Sequence, residues 1–409
     1  MKVLQINAVY GHGSTGVIAK EILDEVVSSG GEAYVASVEP ENHTDLNRLS
    51  GYITIGNKLD RNVHALQSRV FGEQGFYSKL ETRKLIKKIQ KIDPDIIHLH
   101  NLHNNYINLE ILFGFIREYK MYTVITLHDC WFFTGKCCHF LYDDCEKWMT
   151  GCDHCPRQKK ELPSYFVDRS ARDYEKKKKL IGSNPYVHVV GCSAWLTDCA
   201  RKSILKSRVE HTIYNGIDLS VFKPTDRGMK KTIGLEGKNI VLGMANKWLS
   251  EENSSTFDYI VPRLNKNTVL ILIGCTNEQI ANIAGENILL VGFVYDRTQL
   301  AEYYSMADVF VNVTKVDSFP TVNIEALGCG TPVITYNSGG SAETVDMSTG
   351  AVVVYGDYVN LMNQIDSFLA IGKTKYKDNC VRRANKYYDK KNQFREYIEL
   401  YEHILGSTL

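Results

Sequence analysis

The sequence of 409 residues lacks any hydrophobic run near the ~20 residues needed to cross a bilayer. Its longest, such as the run containing Val269–Ile273, reach six or seven residues. It also lacks an excess of one charge sign, with 48 Lys+Arg against 47 Asp+Glu and a net charge of +1. That argues against a dedicated nucleic-acid binder, whose footprint is a basic surplus, so no nucleic-acid partner is expected. Short internal repeats and low-complexity segments are missing too. With 44% hydrophobic and 23% charged residues, the composition is that of an ordinary globular protein and not of a disordered, collagen-like or disulfide-scaffold chain. The opening Met1–Asn7 is too short and too polar for a signal-peptide core. The expected location is therefore the cytoplasm, where the 11 cysteines should be thiols or metal ligands.

What the sequence does have is alternation. Lys2–Tyr10 reads as a strand, Gly11-His12-Gly13-Ser14-Thr15-Gly16 as a turn, Val17–Ser29 as a helix and Ala33–Val38 as the next strand, a βαβ opening. Asp95–His100, Tyr122–Leu127, Val187–Gly191 and His211–Tyr214 continue as strands, with helices over 108–119 and from about 195 to 205. A polar, turn-rich stretch, Lys223–Gly228, suggests a linker. A second series follows, with strands at 240–245, 269–274, 288–292, 309–313, 332–336 and 351–355, and a helical end over 376–405. Short apolar runs without clear alternation fit parallel sheets covered on both faces. Such sheets bind ligands at the carboxyl ends of their strands, here expected in a cleft between two domains.

The segment that carries chemistry runs from Asp317-Ser318-Phe319-Pro320 through Glu325 to Gly328-Cys329-Gly330-Thr331-Pro332, then Gly339-Gly340. The first acid lies in a loop after a strand. A helix should begin at Pro320 or Thr321, because proline is favoured in a first turn. Glu325 then sits about one turn in, and the free amides at the helix start can hold a phosphate. An acidic pair beside an anion site suits a nucleotide sugar.

These residues resemble the retaining glycosyltransferases of family 4 (group 1), of the type that builds bacterial capsular, exopolysaccharide or lipopolysaccharide chains. The likeness extends to Tyr303–Phe310, Gly13–Gly16, His98–Asn101, Thr126–Trp131 and Asn215–Asp218. It implies an α/β fold, two Rossmann-like doubly wound domains in the GT-B arrangement with an interdomain cleft. The expected divisions are 1–222, with a Cys-rich loop over 130–156, then 223–385 for the nucleotide sugar, and 386–409 as a helix packing back on the first domain. By resemblance, Glu325 meets the ribose hydroxyls and Asp317, replacing the usual Glu, lies beside the donor sugar. Thr321, Val322 and Asn323 face sugar or diphosphate, Phe293 and Val294 edge the base, Gly16 lets backbone approach the ligand, and His128 lies near sugar and acceptor. A plain structural role is the other reading of His128. Lys247 fills the first of two cationic positions, but Glu252 stands where the second is usual, where it would repel a diphosphate. The resemblance implies a nucleotide-diphosphate sugar donor, a glycan or lipid-linked acceptor, and no catalytic metal. A sugar-nucleotide epimerase and a non-catalytic glycosyltransferase-like protein, nucleotide-binding or scaffold, are the alternative functions.

Two further features stand outside that pattern. Six of the 11 cysteines fall between Cys130 and Cys155. Cys137, Cys145, Cys152 and Cys155 end in a C-x-x-C knuckle that suits a structural zinc, with Cys138, His139 and His154 as alternative ligands and free thiols or a redox pair as the alternative chemistry. The basic run Lys176–Lys179 reads either as a solvated helix face or as a contact with the inner membrane.

Overall fold

Short aliphatic runs, buried on both faces, pair in parallel throughout, as the covered-sheet pattern requires. The computed structural model describes residues 1–40, 46–283 and 285–406. It falls into two units, Met1–Asn215 with Lys391–Leu409, and Gly216–Lys390. The divisions read from sequence, 222/223 and 385/386, lie within a few residues of these.

The first unit contains β1 (Lys2–Ile6), β2 (Val9–Tyr10), β3 (Glu32–Ser37), β4 (Glu39–Pro40), β5 (Gly51–Thr54), β6 (Ile96–Leu99), β7 (Thr123–Leu127), β8 (Val187–Gly191) and β9 (Val209–Thr212). Seven of them form one sheet in the order β5-β3-β1-β6-β7-β8-β9, and β2 pairs with β4. The order reverses beside β1, the switch point at which doubly wound sheets open a crevice. The first helix starts at Gly13, not Val17, so the glycine turn forms its opening turn. Gly11 N–H closes that turn on Gly16 O at 2.9 Å.

The helical end is two helices, Lys377–Tyr387 and Lys390–Gly406. The second packs on the first unit: Phe394, Tyr397, Ile398, Tyr401 and Ile404 share a core with Val3, Ile22, Val26 and Val35. Between the helices, Asp389 bridges Ile217, and a Cβ on Gly216 would lie 2.5 Å from Lys390 Cα. Asn215-Gly216, read as a turn, is where the chain leaves the first unit.

The second unit contains β10 (Asn239–Met244), β11 (Thr268–Ile273), β12 (Ile288–Val291), β13 (Val309–Asn312), β14 (Val333–Tyr336) and β15 (Gly350–Val353). Their order, β12-β11-β10-β13-β14-β15, again reverses at the central β10. The loop after β13 carries Asp317, and the helix Thr321–Gly328 carries Glu325.

Neither reading of the basic run survives intact. Lys177 is fully buried, donating to Trp131 O at 2.6 Å and Thr134 O at 3.1 Å. Lys176 bridges Glu73 and Glu110, and Lys178 pairs with Glu175. Lys176 and Lys177 are taken up by internal partners, whereas Lys178 and Lys179 stay exposed, so the solvated-face reading holds for half of the run. No helix among the described residues is long and apolar enough to cross a membrane.

Candidate active site

The second unit holds the acidic pair. Glu325 is partly buried one turn into its helix. The hydroxyl of Tyr304, a fully buried residue, donates to Glu325 Oε2 at 3.0 Å. Burial raises the Glu325 carboxyl above the usual range, while the Tyr304 hydroxyl and the charge of Arg297 pull it down. Tyr304 is itself fixed. Thr331 Oγ1 donates to its carbonyl at 2.6 Å, and Lys373 Nζ donates to Thr331 Oγ1 at 2.6 Å. The Gly330-Thr331 turn after the helix thus holds the tyrosine that orients the acid. Tyr304 and Arg297 received no role from sequence, although Tyr304 lay inside the matching Tyr303–Phe310 stretch.

Asp317 is partly buried in the loop between β13 and the helix. Its Oδ1 accepts from Phe319 N–H at 3.1 Å, and its carbonyl accepts from Gly340 N–H at 3.0 Å. That second bond ties the Gly339-Gly340 turn to the acidic loop. The helix begins at Thr321 with Pro320 as its cap and no capping side chain. The first amides, Thr321 and Val322, have no partner within the helix and are partly exposed.

Asn323 is corrected by the structure. It is fully buried; its Oδ1 accepts from Asn312 Nδ2 and its Nδ2 donates to Thr344 Oγ1, both at 2.9 Å, while its N–H donates to Pro320 O at 3.2 Å. Asn323 therefore locks the helix start to β13 and to the 342–344 turn, and acts on the frame instead of facing a ligand.

Phe293 is exposed after β12, with Val294 beside it. Its ring stacks with that of Tyr295, centroids 6.4 Å apart, so the expected base-binding edge is a pair of aromatics. Lys247 is partly buried in a short helix after β10, and its carbonyl accepts from Asn253 Nδ2 at 2.8 Å. Glu252 is exposed. Tyr355 OH donates to its carbonyl at 2.9 Å, and Lys315 Nζ lies 5.6 Å from the Tyr355 ring centroid. A cation from the acidic loop thus reaches the corner that holds Glu252.

In the first unit, Gly16 is a close-packing position: a Cβ there would sit 3.1 Å from Val9 Cγ2. His128 follows β7. Its Nε2 is 2.9 Å from His100 Nδ1. Burial lowers His128 to about 4, with Asp129 opposing and His103 assisting, so it is neutral near pH 7. His98 sits behind this pair, its ring centroid 4.2 Å from that of His100. His98 bonds Thr126 Oγ1 at 2.8 Å and Tyr401 OH at 2.6 Å, and Thr126 donates to Tyr397 OH at 3.0 Å. The last helix therefore reaches His128 through a buried polar chain. Asp129 pairs with His103 Nε2 at 2.8 Å. The charge and hydrogen bond of His103 hold Asp129 at about 2 despite burial.

The cysteine cluster lies in the same unit. Cys137, Cys145, Cys152 and Cys155 line one cavity of 20 Å³. Among the described residues, the ligand atoms drawn mutually within 4.8 Å as a group are those of His103, Asp129 and Cys138. The four cysteines surround their cavity at wider spacing.

The second unit, which holds the oriented acid beside an open helix start, is the part of the chain that matches a known family. Residues 234–387 match the family described as glycosyl transferases group 1. WcaC of Escherichia coli strain K12, described as a colanic acid biosynthesis glycosyl transferase, is 23% identical over 99% of this chain and 100% of its own. Sucrose-phosphate synthase from Thermosynechococcus elongatus shares the fold with a TM-score of 0.71 at 15% identity, covering 99% of each chain. HepE of Anabaena, solved in complex with UDP-glucose, does so with a TM-score of 0.66 at 15% identity, covering 98% of this chain and 99% of its own.

Proposed function

We propose that this protein transfers a hexose-type sugar, with retention at the anomeric carbon, from a nucleoside diphosphate sugar to a glycan or lipid-linked acceptor in bacterial surface polysaccharide assembly. The observation that carries the reading is the Glu325 carboxylate, held by Tyr304 at 3.0 Å beside an uncapped helix start. The likeness to WcaC, and the fold shared with a protein solved with UDP-glucose, support it.

In this reading Glu325 accepts from the ribose hydroxyls, Phe293 and Val294 edge the base, and Gly16 lets backbone approach the ligand. The amides of Thr321 and Val322, with Lys247, meet the sugar and diphosphate. Asp317 lies beside the donor sugar, and neutral His128 lies near sugar and acceptor. The bond from anomeric carbon to diphosphate breaks, its electron pair leaving on the phosphate oxygen. The sugar becomes oxocarbenium-like, and the acceptor oxygen bonds to the face just vacated. The acceptor proton passes to the departing diphosphate. Lys247 and the helix amides stabilise the charge that develops there, and no catalytic metal is assigned.

The test is a panel of UDP-, GDP- and CMP-sugars, with nucleotide release measured in wild type and Glu325→Ala, and the anomeric configuration of any product read by NMR. Release that survives the substitution removes this site. Inversion removes retention. Failure to bind any nucleotide favours the non-catalytic scaffold.

The same reading places the protein against the cytoplasmic face of the inner membrane, through a surface other than Lys176–Lys179. The helix Lys58–Phe71 leaves Leu59, Leu66 and Phe71 exposed at 72%, 61% and 56%, and Leu80 follows at 71%. The next helix, Lys79–Ile92, exposes Arg83, Lys87, Lys88 and Lys91. Apolar side chains beside a basic helix suit an anionic bilayer surface. Sedimentation with phosphatidylglycerol vesicles, lost in Leu59→Glu/Leu66→Glu and weak on phosphatidylcholine, supports this. Equal binding of that variant contradicts it.

A further inference from the structure

We propose that Cys137, Cys145, Cys152 and Cys155 hold a structural zinc ion that clips the Cys-rich segment of the first unit. Between Leu127, the end of β7, and Ser170, the start of the next α-helix, the chain has only two 3₁₀ turns, Phe140–Asp143 and Lys147–Met149. A connection this long without regular structure needs another source of order. Cys137, Cys145 and the Cys152–Cys155 knuckle line one cavity of 20 Å³, walled by Phe140 and Trp148, room for little more than one water-sized sphere.

The surroundings are built for thiolates. Gly135 N–H donates to Cys152 Sγ at 3.2 Å, the kind of outer contact that orients a metal ligand. Gly135 has no room for a side chain: a Cβ would lie 2.8 Å from Cys152 Cβ and 2.2 Å from Ser170 O. Two buried lysines flank the cavity. Lys136 donates to Ser164 Oγ at 2.6 Å and lies in electrostatic reach of Cys155. Lys177 sits 3.8 Å from the Trp131 ring centroid, in reach of Asp173, Cys137 and Cys152. Buried ammonium groups are costly unless compensated. A zinc ion with four thiolates carries a net charge of about −2, which adds to the Asp168 and Asp173 carboxylates that already act on these lysines. The sulfurs stand wider than in a closed tetrahedral site, so binding draws them inward. All four positions are protein ligands, which leaves no water for catalysis.

The test uses the full chain purified under reducing conditions from zinc-supplemented culture. Metal analysis is expected to give about one equivalent of zinc. After exchange into cobalt(II), thiolate charge-transfer and tetrahedral d–d bands are expected in the absorption spectrum. Cys152→Ser and Cys155→Ser should lose metal at least about tenfold, while Cys138→Ser, next to the His103–Asp129 pair, should keep it. Should the serine variants not fold, the cobalt spectrum of the wild type still decides. Zinc under about a tenth of an equivalent with no cobalt–thiolate bands overturns the proposal. So does loss of metal in Cys138→Ser alone, or a Cys137–Cys155 disulfide in reduced protein.

Discussion

The Tyr304 hydroxyl donates to Glu325 Oε2 at 3.0 Å, and Thr331 and Lys373 hold the tyrosine in place. A hydrogen bond to a charged group contributes about 1.5–3 kcal/mol. Tyr304→Phe should therefore weaken nucleotide binding roughly tenfold or more, read by calorimetric titration. The bound form needs the carboxylate. Burial raises the Glu325 pKa, so affinity should fall on acidification earlier than for an ordinary glutamate. Tyr304→Phe, losing a group that lowers the pKa, should move that onset to still higher pH. Unchanged affinity and an unchanged pH profile would separate Tyr304 from the donor site.

A second prediction concerns the buried histidines. Burial lowers His128 to about 4 and His98 to about 3. Their unfolded counterparts titrate near the ordinary 6.5. Between these values the unfolded chain binds more protons, so stability falls as pH drops below about 6.5. Each such histidine contributes a slope of up to ~1.4 kcal/mol per pH unit. Urea unfolding at pH 7 and pH 5 checks this, with a shallower slope expected in His98→Gln. Above pH 7 the same groups add no pH dependence.

The architecture was legible because it rests on short runs of four to six mostly apolar residues, and β8 and β10 to β14 fall where those runs lie. The helix at Thr321 followed from proline placement. Weaker signals failed for physical reasons. β5 (Gly51–Thr54) is a short sheet-edge strand, and β2 and β4 have two residues each. Gly13–Gly16 reads as a loop in isolation, yet it opens a helix because Gly11 and Gly16 bond across it. The side chains that support the site were invisible. Tyr304, Lys373 and Asn312 act through contacts with residues 21, 42 and 11 positions away, and no local pattern encodes such pairs. Asn323 looked like part of a ligand-facing helix start, and only its burial shows otherwise.

A third prediction follows from the Glu252 corner. In the proposed reading Lys247 meets the diphosphate, and Lys315 reaches the Tyr355 ring beside Glu252. Charge on the departing diphosphate is stabilised by such groups. Lys247→Ala should lower kcat by about 100-fold. Lys315→Ala should lower it less, and Glu252→Lys should raise it several-fold, with steady-state nucleotide release as the measure. A Glu252→Lys variant no faster than wild type would place that corner away from the leaving group.

Calorimetric titration of UDP and GDP into wild type and Glu325→Gln tests the donor site most directly. Gln keeps the shape and removes the charge. The expected result is saturable binding of one nucleotide by the wild type and loss of at least tenfold in affinity in the variant. Equal affinity in the two proteins would contradict the assignment of Glu325 to the nucleotide.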